Sequence, residues 1–214
     1  MRSAAELDLG EEAADESAVV RLAPPARDLD VEAAEDAVRD LLVAVGVDVT
    51  EEGIRETPAR AAAALAELLT PRPFTLTTFP NTEGYDELVL ARDIPFHSLC
   101  QHHLLPFVGV AHVGYLPSGR IVGLSKLARA VDHFARGLQV QERLTAQVAG
   151  CLQEGLRPKG VGVVIEAEHL CMSLRGVAKP GTRTVTSTLL GALRHDARAR
   201  QEFLALAGVA REPR

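Results

Sequence analysis

The sequence predicts an α+β protein built on an antiparallel sheet with helices on one face. Helical periodicity follows an acidic start, short β-branched runs come next, and amphipathic stretches then separate further strand-like runs. Helices before, between and after paired strands fit this layer architecture, and no repeat of fixed period interrupts the pattern.

Residues 1–27 are acidic and Ala-rich and end at Pro24-Pro25. They read as a disordered tail, with too little apolar surface to offset ordering entropy. From Asp30, the spacing of Val31, Ala34, Val38, Leu41, Leu42 and Val45 suits an amphipathic helix stopped at Gly46. Thr57-Pro58 reads as an N-cap and first-turn proline, opening a helix that ends near Leu69, ahead of Pro71. These two helices form an N-terminal helical extension, residues 28–72, before a main domain at 73–210. Asp86 to Ile94, Phe107 to Tyr115 and Arg120 to Gly123 read as strands, with Pro117-Ser118-Gly119 as the turn between the last two. Ser125 is placed to cap a helix through Leu127, Ala130, Val131 and Phe134, closed near Gly137. A second helix runs from about Val140 to Leu156. Val161 to Ala167 and Cys171 to Ala178 read as strands bracketing Glu168-His169-Leu170, and a terminal helix covers Ala197 to Leu206.

A chain of 214 residues suits one domain with extensions. Its formal net charge of -6 argues against nucleic-acid binding through a broad basic surface, so an anionic substrate needs a local basic pocket. The three cysteines are odd in number and show no disulfide-framework spacing, which fits a reducing compartment. No apolar run approaches the roughly 20 residues of a membrane span, and the acidic start is unlike a secretory or transit signal. The expectation is a cytoplasmic protein with no membrane partner.

The densest chemistry lies in Ser98-Leu99-Cys100-Gln101-His102-His103. A borderline-soft divalent ion such as zinc prefers thiolate and neutral imidazole, and Cys-x2-His lets one tight turn supply both. Glu168-His169-Leu170-Cys171-Met172 offers the next soft donor, Cys171. Three protein ligands with an open fourth position is the catalytic arrangement, whereas structural zinc is closed by four. His102 and His169 are then left as imidazoles suited to carrying protons. Burial of all three thiols in a core is the competing reading. Cys151, inside a helical pattern, reads as packing, and His97, His112, His133 and His195 read as structural.

Four separated motifs add to this: Ser-Leu-Cys-Gln-His-His, Gly-Leu-Ser-Lys-Leu-Ala-Arg at 123–129, Gln-Val-Gln-Glu-Arg-Leu-Thr at 139–145, and Glu-His-Leu-Cys-Met-Ser-Leu-Arg-Gly at 168–176. In order, from about Asp30 to Leu206, the chain resembles GTP cyclohydrolase I. The resemblance implies a T-fold catalytic domain at 73–210 and a ring-shaped homodecamer with active sites between subunits. It implies a hydrolase acting on cyclic amidine C–N bonds, which takes GTP and water to 7,8-dihydroneopterin triphosphate and formate for tetrahydrofolate, another pterin or a deazapurine. It makes Cys100, His103 and Cys171 the ligands of Zn2+, and His102 and His169 the proton-transferring residues. Substrate contacts are expected at Glu142 and Gln141, facing the adjacent N–H donors of guanine, and at Ser125, Lys126, Arg129, Arg175 and, from a neighbouring subunit, Arg60.

Two positions depart from the family pattern. Gln101 stands where the family usually has Glu, and Ala63 where some relatives carry a basic residue one turn after Arg60. A regulatory paralogue and a related enzyme acting on another purine are the alternative readings. The intact Cys100, His102, His103, Glu142, His169 and Cys171 disfavour the first, and the full triphosphate-binding set disfavours the second.

Overall fold

The computed structural model describes residues 18–22 and 29–208. They fall into two compact units, one of Pro24–Thr70 and the other of Met1–Ala23 with Pro71–Arg214. The smaller unit holds α1 (Val31–Ala44) and α2 (Thr57–Leu69). Asp30 caps α1 by accepting from the Ala33 amide, and the chain leaves the helix through Gly46 at φ 85°. Pro58 occupies the first turn of α2, where its missing N–H costs nothing.

Among its described residues the larger unit contains two sheets. One joins β1 (Ala18–Leu22), β2 (Phe74–Pro80) and β5 (Arg120–Val122) in the order β1-β2-β5. The other joins β3 (Val89–Cys100), β4 (Pro106–Leu116), β6 (Leu138–Gln139), β7 (Gly160–His169) and β8 (Arg183–Gly191) in the order β6-β3-β4-β7-β8. All its pairings are antiparallel except the short parallel contact of β6 with β3. Between strands lie α3 (Leu124–Ala135), α4 (Gln141–Leu156) and the single turn α5 (Leu170–Ser173), and α6 (Ala192–His195) and α7 (Ala197–Leu206) follow.

Period-2 alternation assigns the faces of the main sheet. Val161, Val163, Ile165 and Ala167 of β7 join Phe107, Ala111, Val113 and Tyr115 of β4 against Leu127, Ala130 and Val131 of α3 and Leu144, Val148 and Leu152 of α4. The intervening residue Val164 faces the other way, toward Leu193 of α6 and Phe203 of α7. Helices therefore cover part of both faces, where one face was expected. Gly114 and Gly162 explain this: they pair across β4 and β7, and a methyl on either would meet the Phe203 ring at 3.1 Å or 2.7 Å. Two missing side chains make the depression into which that ring packs.

Other differences are local. Most of the stretch read as a disordered tail lies outside the described residues, but Ala18–Leu22 is a strand pairing with β2. Val19 and Val20 are the only β-branched residues among positions 1–27. Cys171 to Ala178 is not a strand: α5 ends at Ser173, and Gly176 and Ala178 take positive φ. The strand comes later, at β8. Ser125 does not cap α3, which starts at Leu124 with Gly123 in the cap position.

Candidate active site

Cys100 is the last residue of β3, and its backbone organises the turn that follows. Its N–H donates to Leu105 O at 2.9 Å, and its carbonyl accepts from His103 at 3.3 Å and Leu104 at 2.9 Å. Leu104 is held at φ 56° to close the turn. This geometry brings His103 back beside Cys100, with Nδ1 3.8 Å from Sγ. The third donor arrives across the sheet. His169, which ends β7, pairs with Phe107 near the start of β4, so Cys171 in α5 lies next to the β3–β4 turn. The donor atoms of Cys100, His103 and Cys171 all lie within 4.8 Å of one another.

The donor set fits a tetrahedral metal ion. Bonds of about 2.3 Å to sulfur and about 2.0 Å to nitrogen put ligand atoms roughly 3.6 Å apart, close to the Cys100–His103 separation. Burial pushes the Cys171 thiol up, as does the adjacent Cys100 thiol, with Arg175 opposing. A divalent cation held by this set would counter the upward pressure on the Cys171 thiol, because metal ligation takes the thiolate.

Around the donors is a cavity of about 300 Å³, lined also by His102, Gln139, Val140, Gln141, Glu142, His169, Met172 and Thr184. The parallel pairing of Cys100 with Gln139 in β6 delivers the N-terminus of α4 to its wall. Glu142, in the first turn of α4, is exposed to the cavity. His102 Nδ1 lies 3.8 Å from Cys100 Sγ, and the Gln101 amide nitrogen lies 3.4 Å from the other ring nitrogen. His169 stacks flat on Phe107, with ring centroids 4.7 Å apart and planes 2° from parallel. Burial lowers the His169 pKa, and the Glu142 carboxylate partly opposes that shift.

A model of the GTP cyclohydrolase I family matches residues 34–208. The chain belongs to the GTP cyclohydrolase I family. The GTP cyclohydrolase 1 of Streptomyces avermitilis is 55% identical over 184 residues, covering 84% of this chain and 91% of its own. That of Corynebacterium glutamicum is 52% identical over 185 residues, covering 84% and 94%. That of Aquifex aeolicus is 52% identical over 178 residues, covering 83% and 97%. A solved structure of the archaeosine synthase QueF-Like in its apo form is similar at 17% identity and a TM-score of 0.38, over 49% of this chain and 93% of that one. The span matched by the GTP cyclohydrolase I model contains the whole cavity lining.

Of the residues singled out in the sequence, the cavity gathers Cys100, His102, His103, Gln141, Glu142, His169 and Cys171. Ser125, Lys126 and Arg129 lie on α3 and Arg175 in the turn after α5, and none of them lines it. Arg60 is exposed on α2, in the smaller unit. Gln141 departs most from expectation. Its side chain is 1% exposed and hydrogen-bonded into the sheet rather than presented to a ligand. Thr184 and Thr186, which surround it with Thr145, are not among the residues the sequence singles out, although Thr184, Thr186 and Thr188 alternate with the period of a half-buried strand.

Proposed function

We propose that the chain is a zinc-dependent GTP cyclohydrolase I, converting GTP and water to 7,8-dihydroneopterin triphosphate and formate. One observation carries this reading: a Cys-His-Cys donor set shares a cavity with a carboxylate and two further imidazoles. Cys100, His103 and Cys171 would hold the ion. When bound, zinc supplies the Lewis acidity that lets water add at guanine C8 near neutral pH.

The protein's own residues divide the remaining work. The Glu142 carboxylate accepts the N1–H and N2–H donors of guanine together, which orients C8 toward the metal ligands. His102 and His169 move protons at the imidazole ring and the ribose oxygen. Opening the ribose and reclosing it as a dihydropyrazine needs several transfers, which two imidazoles serve better than one.

The triphosphate is assigned to Ser125, Lys126, Arg129 and Arg175, with Arg60 from a neighbouring subunit. Among the described residues the cavity lining includes neither Lys nor Arg, which supports completion of the site by a second copy. Leu124 and Leu174, each 70% exposed beside these residues, are apolar surface that an assembly would cover. The reading thus extends to a ring-shaped homodecamer of T-fold catalytic domains at 73–210, with 28–72 as helical extension and 1–27 as tail. The protein is placed in the cytoplasm, feeding tetrahydrofolate or another pterin or deazapurine product. Among the described residues no helix is long and apolar enough to cross a membrane.

The test is incubation of pure, zinc-loaded protein with GTP, measuring formate and the fluorescence of the oxidised pterin. Both products are expected in equal amounts. Absence of both with zinc fully bound would overturn the proposal.

A further inference from the structure

The buried Gln141 amide sits directly behind His169. Its Nε2 lies 3.0 Å from Ile165 O, 2.9 Å from Thr184 O and 3.1 Å from Thr186 Oγ1. Backbone carbonyls only accept, so two of these neighbours require the amide NH2 group on that side. The amide cannot be flipped without setting oxygen against oxygen at both carbonyls. Its Oε1 therefore faces His169, 2.8 Å from Nε2. An amide oxygen also only accepts, so His169 Nε2 carries hydrogen. A neutral imidazole has one N–H, which leaves Nδ1 as its basic atom. Stacking on Phe107 opposes rotation of the ring away from this arrangement. The Gln141 backbone carbonyl accepts from Thr145 Oγ1 at 2.7 Å, and Thr145 Oγ1 lies 2.7 Å from Thr186 Oγ1. Each polar atom around the amide thus has a partner within β7, β8 or the first turns of α4.

We propose that Gln141 is a positioning residue that holds His169 as the Nε2–H tautomer, so that His169 exchanges protons with substrate through Nδ1. This rests on the role given to His169 above. It replaces the expectation that Gln141 reads the guanine base: an amide that is 1% exposed, with both ends engaged, has no group left to offer a ligand. The sheet fixes the amide, the amide fixes the tautomer, and the tautomer selects the reacting nitrogen. Orienting groups of this kind matter because the wrong tautomer presents a donor where a base is needed.

Two measurements test it. Magic-angle-spinning NMR of the full zinc-loaded chain, labelled with 13C,15N-histidine and lacking GTP, reports the tautomer directly, with His169→Ala used only to identify the signal. The Nε2–H form is expected for His169, and an Nδ1–H form would overturn the proposal. This readout needs no folded Gln141 variant and no turnover, so its failure is distinct from failure of the GTP cyclohydrolase reading. The second is kinetic. Gln141→Leu should lower kcat at least about tenfold and by no more than the roughly 10⁴ upper bound of general acid–base catalysis. KM for GTP and the preference for GTP over inosine triphosphate should stay within about twofold. Collapse of that preference with kcat preserved would mean that Gln141 contacts the base, and would overturn the proposal.

Discussion

Glu142→Gln is the sharpest perturbation of substrate recognition. The carboxylate opens the first turn of α4 into the cavity, and no hydrogen bond or ion pair with another described residue engages it. It is therefore free to accept two N–H donors from guanine. A hydrogen bond to a charged group contributes about 1.5–3 kcal/mol, against about 1 kcal/mol for a neutral pair. The amide keeps one oxygen for N1–H but sets its own NH2 against the exocyclic N2–H. One charge-assisted bond disappears and the other becomes neutral, a loss of about 2–4 kcal/mol, or roughly 30- to 700-fold in kcat/KM. Inosine triphosphate lacks the exocyclic amine and should lose only the charge on one bond, about 0.5–1.5 kcal/mol or roughly 2- to 10-fold. Removing the carboxylate also withdraws its support for a protonated His169, but that loss is common to both nucleotides and cancels in their ratio. Formate release measured for both nucleotides with both proteins gives the ratio. Equal losses would show that Glu142 acts through His169 alone and would refute base recognition.

Three further outcomes are expected. Cys100→Ser and Cys171→Ser should lose zinc and activity together, whereas His169→Ala should keep its zinc while kcat falls at least about 10²-fold; metal analysis showing His169→Ala stripped of zinc would break the division between ligands and proton carriers. His112 is buried and accepts from the Asp93 amide at 3.3 Å, and burial holds its pKa below the ordinary 6.5, with Asp93 opposing. Because the folded value is the lower one, the folded state binds fewer protons: the contribution of His112 is full above about pH 6.5 and falls on acidification through 6.5 toward the folded value. Urea midpoints between pH 7.5 and 5.5 should decline less steeply for His112→Gln than for the natural chain, and identical slopes would exclude His112 as a source of acid sensitivity. Phe203→Ala should cost about 3–5 kcal/mol by urea unfolding, since the ring is 0% exposed over Gly114 and Gly162, and a change below about 1 kcal/mol would mean that α7 adds little to the second face of the sheet.

The residues of the donor set could be read in the sequence because each half lies in a local motif at a strand end. Cys100 and His103 share one turn, and Cys171 follows His169 by two positions. Which of Gln141 and Glu142 is buried could not. Both are polar and adjacent, and a helix turns 100° per residue, so one entering α4 points into the sheet and the other into the cavity. Only the register of β7 with β8, which brings Ile165 opposite Thr186, decides which of them is buried. The second helical face was hidden for a similar reason. A glycine in a strand marks close approach, but the pairing of Gly114 with Gly162, and the ring that fills the gap, are long-range facts. In β8 the strand signal is the alternation of Thr184, Thr186 and Thr188.

Hydrogen bonds within the protein hold both halves of the donor set in place. Cys100 closes its own turn through N–H and carbonyl. On the other side, one oxygen of Glu168 accepts from Ser173 Oγ at 2.6 Å and from Gly181 N at 2.9 Å, and Lys179 N donates to Met172 O at 3.0 Å. These bonds tie the segment carrying Cys171 at both ends, and the Ser173 hydroxyl and Gly181 amide together hold the Glu168 carboxyl below its usual range. In a zinc finger the metal supplies the folding free energy because nothing else fixes the ligands. Here the sheet, the turn and Glu168 already fix them. An ion held as proposed would therefore find its donors already gathered, with little chain left to order.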